Sequence, residues 1–138
     1  MEFDSLPQIN VTKSKSIEVN ISACFFMKEN PRKNTLISAK VEENRVKLLI
    51  LSELSCDFAN GVYLKELENS ADVLSFNLFQ KGTRLSNECT CYLYYQLTLK
   101  NANQVPKSLF IGNEPILESN SITFNESELK EIENKLTN

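Results

Sequence analysis

Residues 89–100, C-T-C-Y-L-Y-Y-Q-L-T-L-K, constrain the fold more than any other stretch. Cys89, Cys91, Leu93, Tyr95, Leu97 and Leu99 occupy the odd positions; Thr90, Tyr92, Tyr94, Gln96, Thr98 and Lys100 occupy the even ones. Side chains alternate across a β-strand, so this period of two gives one apolar face and one amphipathic face. At ~3.3 Å per residue the segment spans roughly 40 Å, longer than the usual strand, and fits the central member of a sheet.

The same alternation recurs along the chain. Ile17, Val19, Ile21, Ala23, Phe25 and Met27 alternate with Glu18, Asn20, Ser22, Cys24, Phe26 and Lys28, which predicts a strand over 17–28, and Asn30-Pro31 then signals a turn. Thr35, Ile37, Ala39 and Val41 share one face, as do Val46, Leu48 and Ile50. With Glu43-Asn44 as a two-residue turn, Val41 meets Val46, Ala39 meets Leu48 and Ile37 meets Ile50, so both apolar sets fall on one side of the sheet. Residues 48–51 are apolar on both faces, as in a strand covered on both sides.

Asn60-Gly61 is the strongest hairpin signal, because type I′ turns need two residues at positive φ. It sets Phe58 against Tyr63 and Leu54 against Leu67 but Cys56 against Lys65, so 62–69 reads as either a short strand or a helical turn. Leu74, Phe76 and Leu78 alternate with Val73, Ser75, Asn77 and Phe79 in a further strand, and short strands are expected at 108–111 and 121–124.

The end of the chain changes period. Asn125 followed by Glu128 makes a capping box, and Phe124 with Leu129 has the spacing of a hydrophobic staple. Leu129, Ile132 and Leu136 then form one apolar stripe on a helix over about 126–136, too short to persist undocked. The resulting expectation is a mainly β fold, an antiparallel β-sandwich or partly open barrel of about six to eight strands with one C-terminal α-helix. Residues 1–16 read as a flexible arm, and 17–138 as a single β-rich domain ending in that helix.

Composition mostly removes possibilities. The chain has no histidine, which excludes triads, Cys-His dyads and imidazole ligands within it, and only three isolated glycines, which excludes a Gly-rich phosphate cradle. A net charge of −3 gives no pull toward a polyanion, so nucleic acid is not an expected partner. No apolar run reaches the ~20 residues of a membrane span, and the opening M-E-F-D-S-L-P-Q lacks the layout of a signal peptide. A cytoplasmic location is therefore expected, barring a removed leader or a non-Sec route, and the triplets at Asn10, Asn20 and Asn125 that match the glycosylation pattern carry little weight there. Twelve lysines against three arginines, with abundant asparagine, suggest a low-GC genome.

Cys24, Cys56, Cys89 and Cys91 lack the tight C-x2-C knuckles of structural zinc, and read as small buried hydrophobes in a reducing compartment. No metal and no cofactor is expected. Glu42, Glu43, Glu66, Glu68 and the helix glutamates single out no catalytic pair, so each reads as a solvated charge. Tyr92 and Tyr94 form an aromatic patch on the amphipathic face, with Phe26 on the mixed face of the first strand. Either these rings lie beneath Leu129, Ile132 and Leu136, or they are offered to a partner.

These six residues are the candidate partner-binding set. The expected function is a non-enzymatic protein-binding or assembly module, acting through sheet faces, edge strands such as 108–111 and the terminal helix, with another protein or a second copy of itself as partner. The alternatives are a holdase or export-type chaperone for unfolded polypeptide, and a small carboxylate-based enzyme or ligand carrier in a barrel.

Overall fold

The computed structural model describes residues 17–23, 25, 34–55, 62–70, 72–80, 90–118 and 125–136. The expected arm over 1–16, the Asn30-Pro31 and Asn60-Gly61 turns and the short strand over 121–124 lie outside them. Among these described residues nine strands and one helix follow in order: β1 (Ile17–Ile21), β2 (Asn34–Glu42), β3 (Arg45–Ser55), β4 (Val62–Asn69), β5 (Val73–Gln80), β6 (Thr90–Lys100), β7 (Ser108–Ile111), β8 (Glu114–Pro115), β9 (Leu117–Glu118) and α1 (Glu126–Asn134). They build two sheets, one ordered β1-β6-β3-β2-β9 and the other β4-β5-β7-β8.

The long alternating segment is the spine of the first sheet. β6 pairs with β3 from Arg45 opposite Lys100 to Ser55 opposite Thr90, and with β1 from Ile17 opposite Leu99 to Ile21 opposite Tyr95. The strand expected over 17–28 is interrupted: from Ile21 to the bridge between Phe25 and Tyr92, one side advances by one residue more than the other. Ser22 closes the gap, its N–H donating to the Tyr94 carbonyl at 2.9 Å and its hydroxyl accepting the Tyr94 N–H at 3.0 Å.

On one face of this sheet Val46, Leu48, Ile50, Tyr95, Leu97 and Leu99 are buried against Leu64, Leu74, Phe76 and Leu109 of the second sheet. The Phe76 ring meets Tyr95 edge-on at 6.3 Å. Each such aliphatic side chain contributes ~1.5–3 kcal/mol by leaving water, so this shared layer holds the two sheets together. The fold is thus sandwich-like, not a closed barrel. Most pairings are antiparallel, but β2–β9 and β5–β7 are parallel.

The β2–β3 hairpin follows its expected register near the turn, with Val41 opposite Val46 and Ala39 opposite Leu48. Glu43 and Asn44 sit at φ 36° and 64°, the positive values a two-residue type I′ turn requires. Further along, the register shifts between Leu36 and Ser38, so Ile50 faces Leu36, and Ile37 is the bulged residue.

Three expectations are corrected. Residues 62–69 form a strand, and it lies in the second sheet beside β5, so Leu54 pairs with Cys91 and not with Leu67. Residues 108–111 are flanked by β5 and β8 and are not an edge. Cys91 is disulfide-bonded and not a free buried thiol; the other three cysteines lie outside the described residues.

A buried polar chain ties the sheets together. Ser52 donates to Asn34 Oδ1 at 2.7 Å, which leaves the Tyr95 hydroxyl, 2.9 Å away, to donate to Ser52; Asn34 Nδ2 donates in turn to Glu114 at 3.2 Å. Burial pushes the Tyr95 phenol above its ordinary value of 10.0. Ser52→Ala strands a buried Tyr95 donor and should cost ~1–3 kcal/mol, whereas Tyr95→Phe removes one bond at ~0.5–1.5 kcal/mol. Urea unfolding of both variants checks this order, and the reverse order contradicts the assigned donors. For Cys91, protein made in an oxidising compartment and unfolded without reductant should show at most two of its four cysteines reactive toward a thiol reagent. Four reactive thiols would exclude the disulfide.

Candidate functional site

The amphipathic face of β6 lies on the outer side of the first sheet. Register places Thr98 beside Lys47, Gln96 beside Leu49, Tyr94 beside Leu51 and Tyr92 beside Glu53. Leu49, Leu51, Tyr92, Gln96 and Thr98 are buried and Tyr94 is half-buried, so this face is covered.

The cover among the described residues is α1. Asn125 Oδ1 accepts the Glu128 N–H at 2.8 Å and Glu128 returns a carboxylate oxygen to the Asn125 N–H at 3.2 Å, completing the expected capping box. Ile132 is the helix's one buried residue, while Leu129 and Leu136 are half-buried. Glu133 reaches Lys40 of β2 at 3.6 Å, and the Glu128 carboxylate acts on the Tyr94 phenol. The ion pair sets the C-terminal end of α1 beside β2, and the charge effect sets its N-terminal end near Tyr94 of β6.

The aromatic patch is real but internal. Tyr92 is 7% exposed, and Phe25 stacks on Tyr94 with ring centroids 5.0 Å apart and meets Tyr92 at a tilt, 6.3 Å away. Phe26 lies outside the described residues, and its neighbour Phe25 supplies the third ring. The structure thus brings Tyr92 and Tyr94 together around Phe25, with Glu128 of α1 acting on Tyr94.

The open part of the sheet is elsewhere. A two-residue turn makes Glu42 and Arg45 a hydrogen-bonded pair, and the alternation of an antiparallel ladder then makes Val41–Val46 and Ala39–Leu48 non-hydrogen-bonded pairs. The N–H and C=O groups of Ala39 and Val41 therefore point away from β3. β9 covers that side of β2 only at Thr35 and Leu36, and among the described residues no strand lies beyond, from Ile37 to Glu42. Residues 39–42 are exposed, and the Val41 side chain is 50% exposed. Composition alone offered one sign of this edge, the mid-strand Lys40, since lysine guards exposed edges.

Around the hairpin, Glu42, Glu43, Arg45 and Lys47 line an open cleft of about 620 Å³ whose two acids and two bases balance. Among the described residues no helix is long and apolar enough to cross a membrane. Compared with models of protein families, with curated proteins and with solved structures, the chain matches none.

The tyrosines set an alkaline limit on this arrangement. Burial raises the Tyr92 and Tyr94 phenols above their ordinary value of 10.0, with Glu53 and Glu128 respectively adding to it. A raised folded-state value means the stabilisation is complete below the ordinary value and is lost as pH rises through the folded one. Stability should therefore stay flat from neutral pH to about 10 and fall above it. Glu128→Gln keeps the capping oxygen but removes the charge, and should lower the Tyr94 titration midpoint in NMR while leaving it above the ordinary value. An unchanged midpoint would contradict the helix placement.

Proposed function

We propose that the protein is a non-enzymatic protein-binding module that accepts an extended segment of a partner as an added strand on β2. The observation that carries this reading is the outward-facing backbone of Ala39 and Val41 on an exposed strand whose inner side is paired with β3. Such groups need hydrogen-bond partners, and a strand supplies both donors and acceptors in one register. The burial of Tyr92 and half-burial of Tyr94 support the edge, over the outer face, as the surface offered to the partner.

The disulfide at Cys91 supports folding in an oxidising compartment over the cytoplasmic location expected from the start of the chain. In that setting a preformed edge, held by the β3–β6 ladder, binds without ordering its own backbone first.

Val41→Pro tests the mechanism, because proline removes the outward N–H yet breaks no bond to β3. In quantitative affinity capture from the source organism, a partner should be enriched on the wild type and reduced about tenfold on the variant, equivalent to ~1.4 kcal/mol. The variant's urea midpoint should be close to wild type. Equal capture by a folded variant would exclude strand addition at β2.

A further inference from the structure

We propose that a second copy of this chain is the partner, joined antiparallel along β2 about a two-fold axis through Val41; the inference rests on the strand-addition reading above. A two-fold interface requires a surface complementary to itself, and an antiparallel edge pair has that symmetry. Only a few registers are open to it, since the bonds must run between residues whose backbone points outward, namely Ala39 and Val41.

Three centres can be compared. A pair centred on Lys40 sets Lys40 directly against its own copy, and like charges in that position are destabilising. A pair centred on Ala39 carries Glu42 to Leu36 of the second copy, where β9 already occupies the edge. A pair centred on Val41 sets Val41 against Val41 of the second copy as a hydrogen-bonded pair, and Lys40 against Glu42 twice. The second copy's turn then ends beside Ser38 and Ala39, short of β9.

The charges near the edge agree with that third register. Lys40 pairs with Glu133 at 3.6 Å and Glu42 with Lys47 at 3.3 Å, and these side chains remain 35–55% exposed. Exposed pairs of this kind are weak and can be shared. Joining Lys40 of one copy to Glu42 of the other produces a row of alternating sign, Glu133, Lys40, Glu42, Lys47, repeated by the two-fold axis. On the opposite side of the sheet the exposed Val41 side chains cover each other. The isolated strand edge thus becomes the middle of a sheet that continues through both molecules.

The test is a charge exchange read by sedimentation of the full chain at concentrations up to about 1 mM, the range of weak association. The wild type should pass from 15.7 kDa to twice that mass as concentration rises. Lys40→Glu and Glu42→Lys should each weaken dimerisation about tenfold or more, because each opposes like charges across the axis. The double variant carrying both changes restores opposite charges and should dimerise again, and the Val41 amide should exchange more slowly as the wild-type dimer forms. Restoration by the double variant supports the register. A wild type that dimerises equally well with either single variant overturns it, and so does a wild type that stays monomeric throughout. In the monomeric case capture by wild type against Val41→Pro still decides strand addition to a different partner, so the two readings fail separately.

Discussion

The β3–β6 ladder is the constraint on which the rest of the structure depends. Over its full length, from Arg45 opposite Lys100 to Ser55 opposite Thr90, it supplies two strands whose both faces are largely out of water. Residues 48–51 are four consecutive apolar positions, so each side of the sheet inherits leucines or isoleucines that must be covered. The second sheet covers Leu48 and Ile50. On the other side Leu49 and Leu51 are buried as well, and on that side stands α1, with Ile132 buried and Glu133 paired to Lys40. The helix is too short to be stable by itself and the sheet face would be aggregation-prone uncovered, so each accounts for the other.

Burying so much strand obliges the interior polar atoms to find partners. Tyr95 is enclosed between the sheets, and its hydroxyl begins a directed series of hydrogen bonds through Ser52 and Asn34 that ends on Glu114 at the surface. Because the donors all point the same way, each bond polarises the next, and the series links β6, β3, β2 and β8 without leaving a donor stranded. Asn20 is the contrast: its Oδ1 is enclosed with no hydrogen-bond partner among the described residues. It lies opposite Gln96 on the helix-covered side, and the structure offers no compensation for the ~1–3 kcal/mol such an atom costs.

What the sequence disclosed was whatever depends on neighbours in the chain. Alternation located β6, β3, β5 and β7; Glu43-Asn44 specified the hairpin register next to the turn; and Asn125 with Glu128 specified the start of the helix. Long-range choices carried no such mark. Nothing in 62–69 indicates which sheet the strand joins, and its expected pairing with β3 lost to β6, whose longer apolar face buries far more surface there. The four residues of β7 resemble an edge strand by length, but their parallel pairing with β5 depends on a crossover through the other sheet. The bulge at Ile37 is invisible for the same reason, since Ile37 and Leu36 are both acceptable partners for Ile50 until β9 fixes one. The aromatic patch was legible as chemistry, whereas nothing along the chain says that Phe25 closes on both tyrosines. The disulfide at Cys91 was missed because spacing along a chain reveals which cysteines exist and not which meet.

Among the described residues β9 caps β2 at Thr35 and Leu36, and the bulge at Ile37 comes directly after that pairing, where an extra residue shifts the backbone groups that follow. Past it the strand continues to the turn with its inner side fully bonded to β3, so its outer groups are held in strand geometry whether or not anything occupies them. Edges of this kind are usually shortened, twisted or charged against association. Here Lys40 is the expected guard, yet Glu133 already sits beside it and Glu42 follows two positions on, so the guard's charge is answered from both sides. A lone lysine repels every incoming strand that brings a positive charge, whereas a lysine and a glutamate in alternation admit a strand that carries the same pair reversed. On the reading proposed above the edge is selective more than protected, and the strand that satisfies it most simply is its own image.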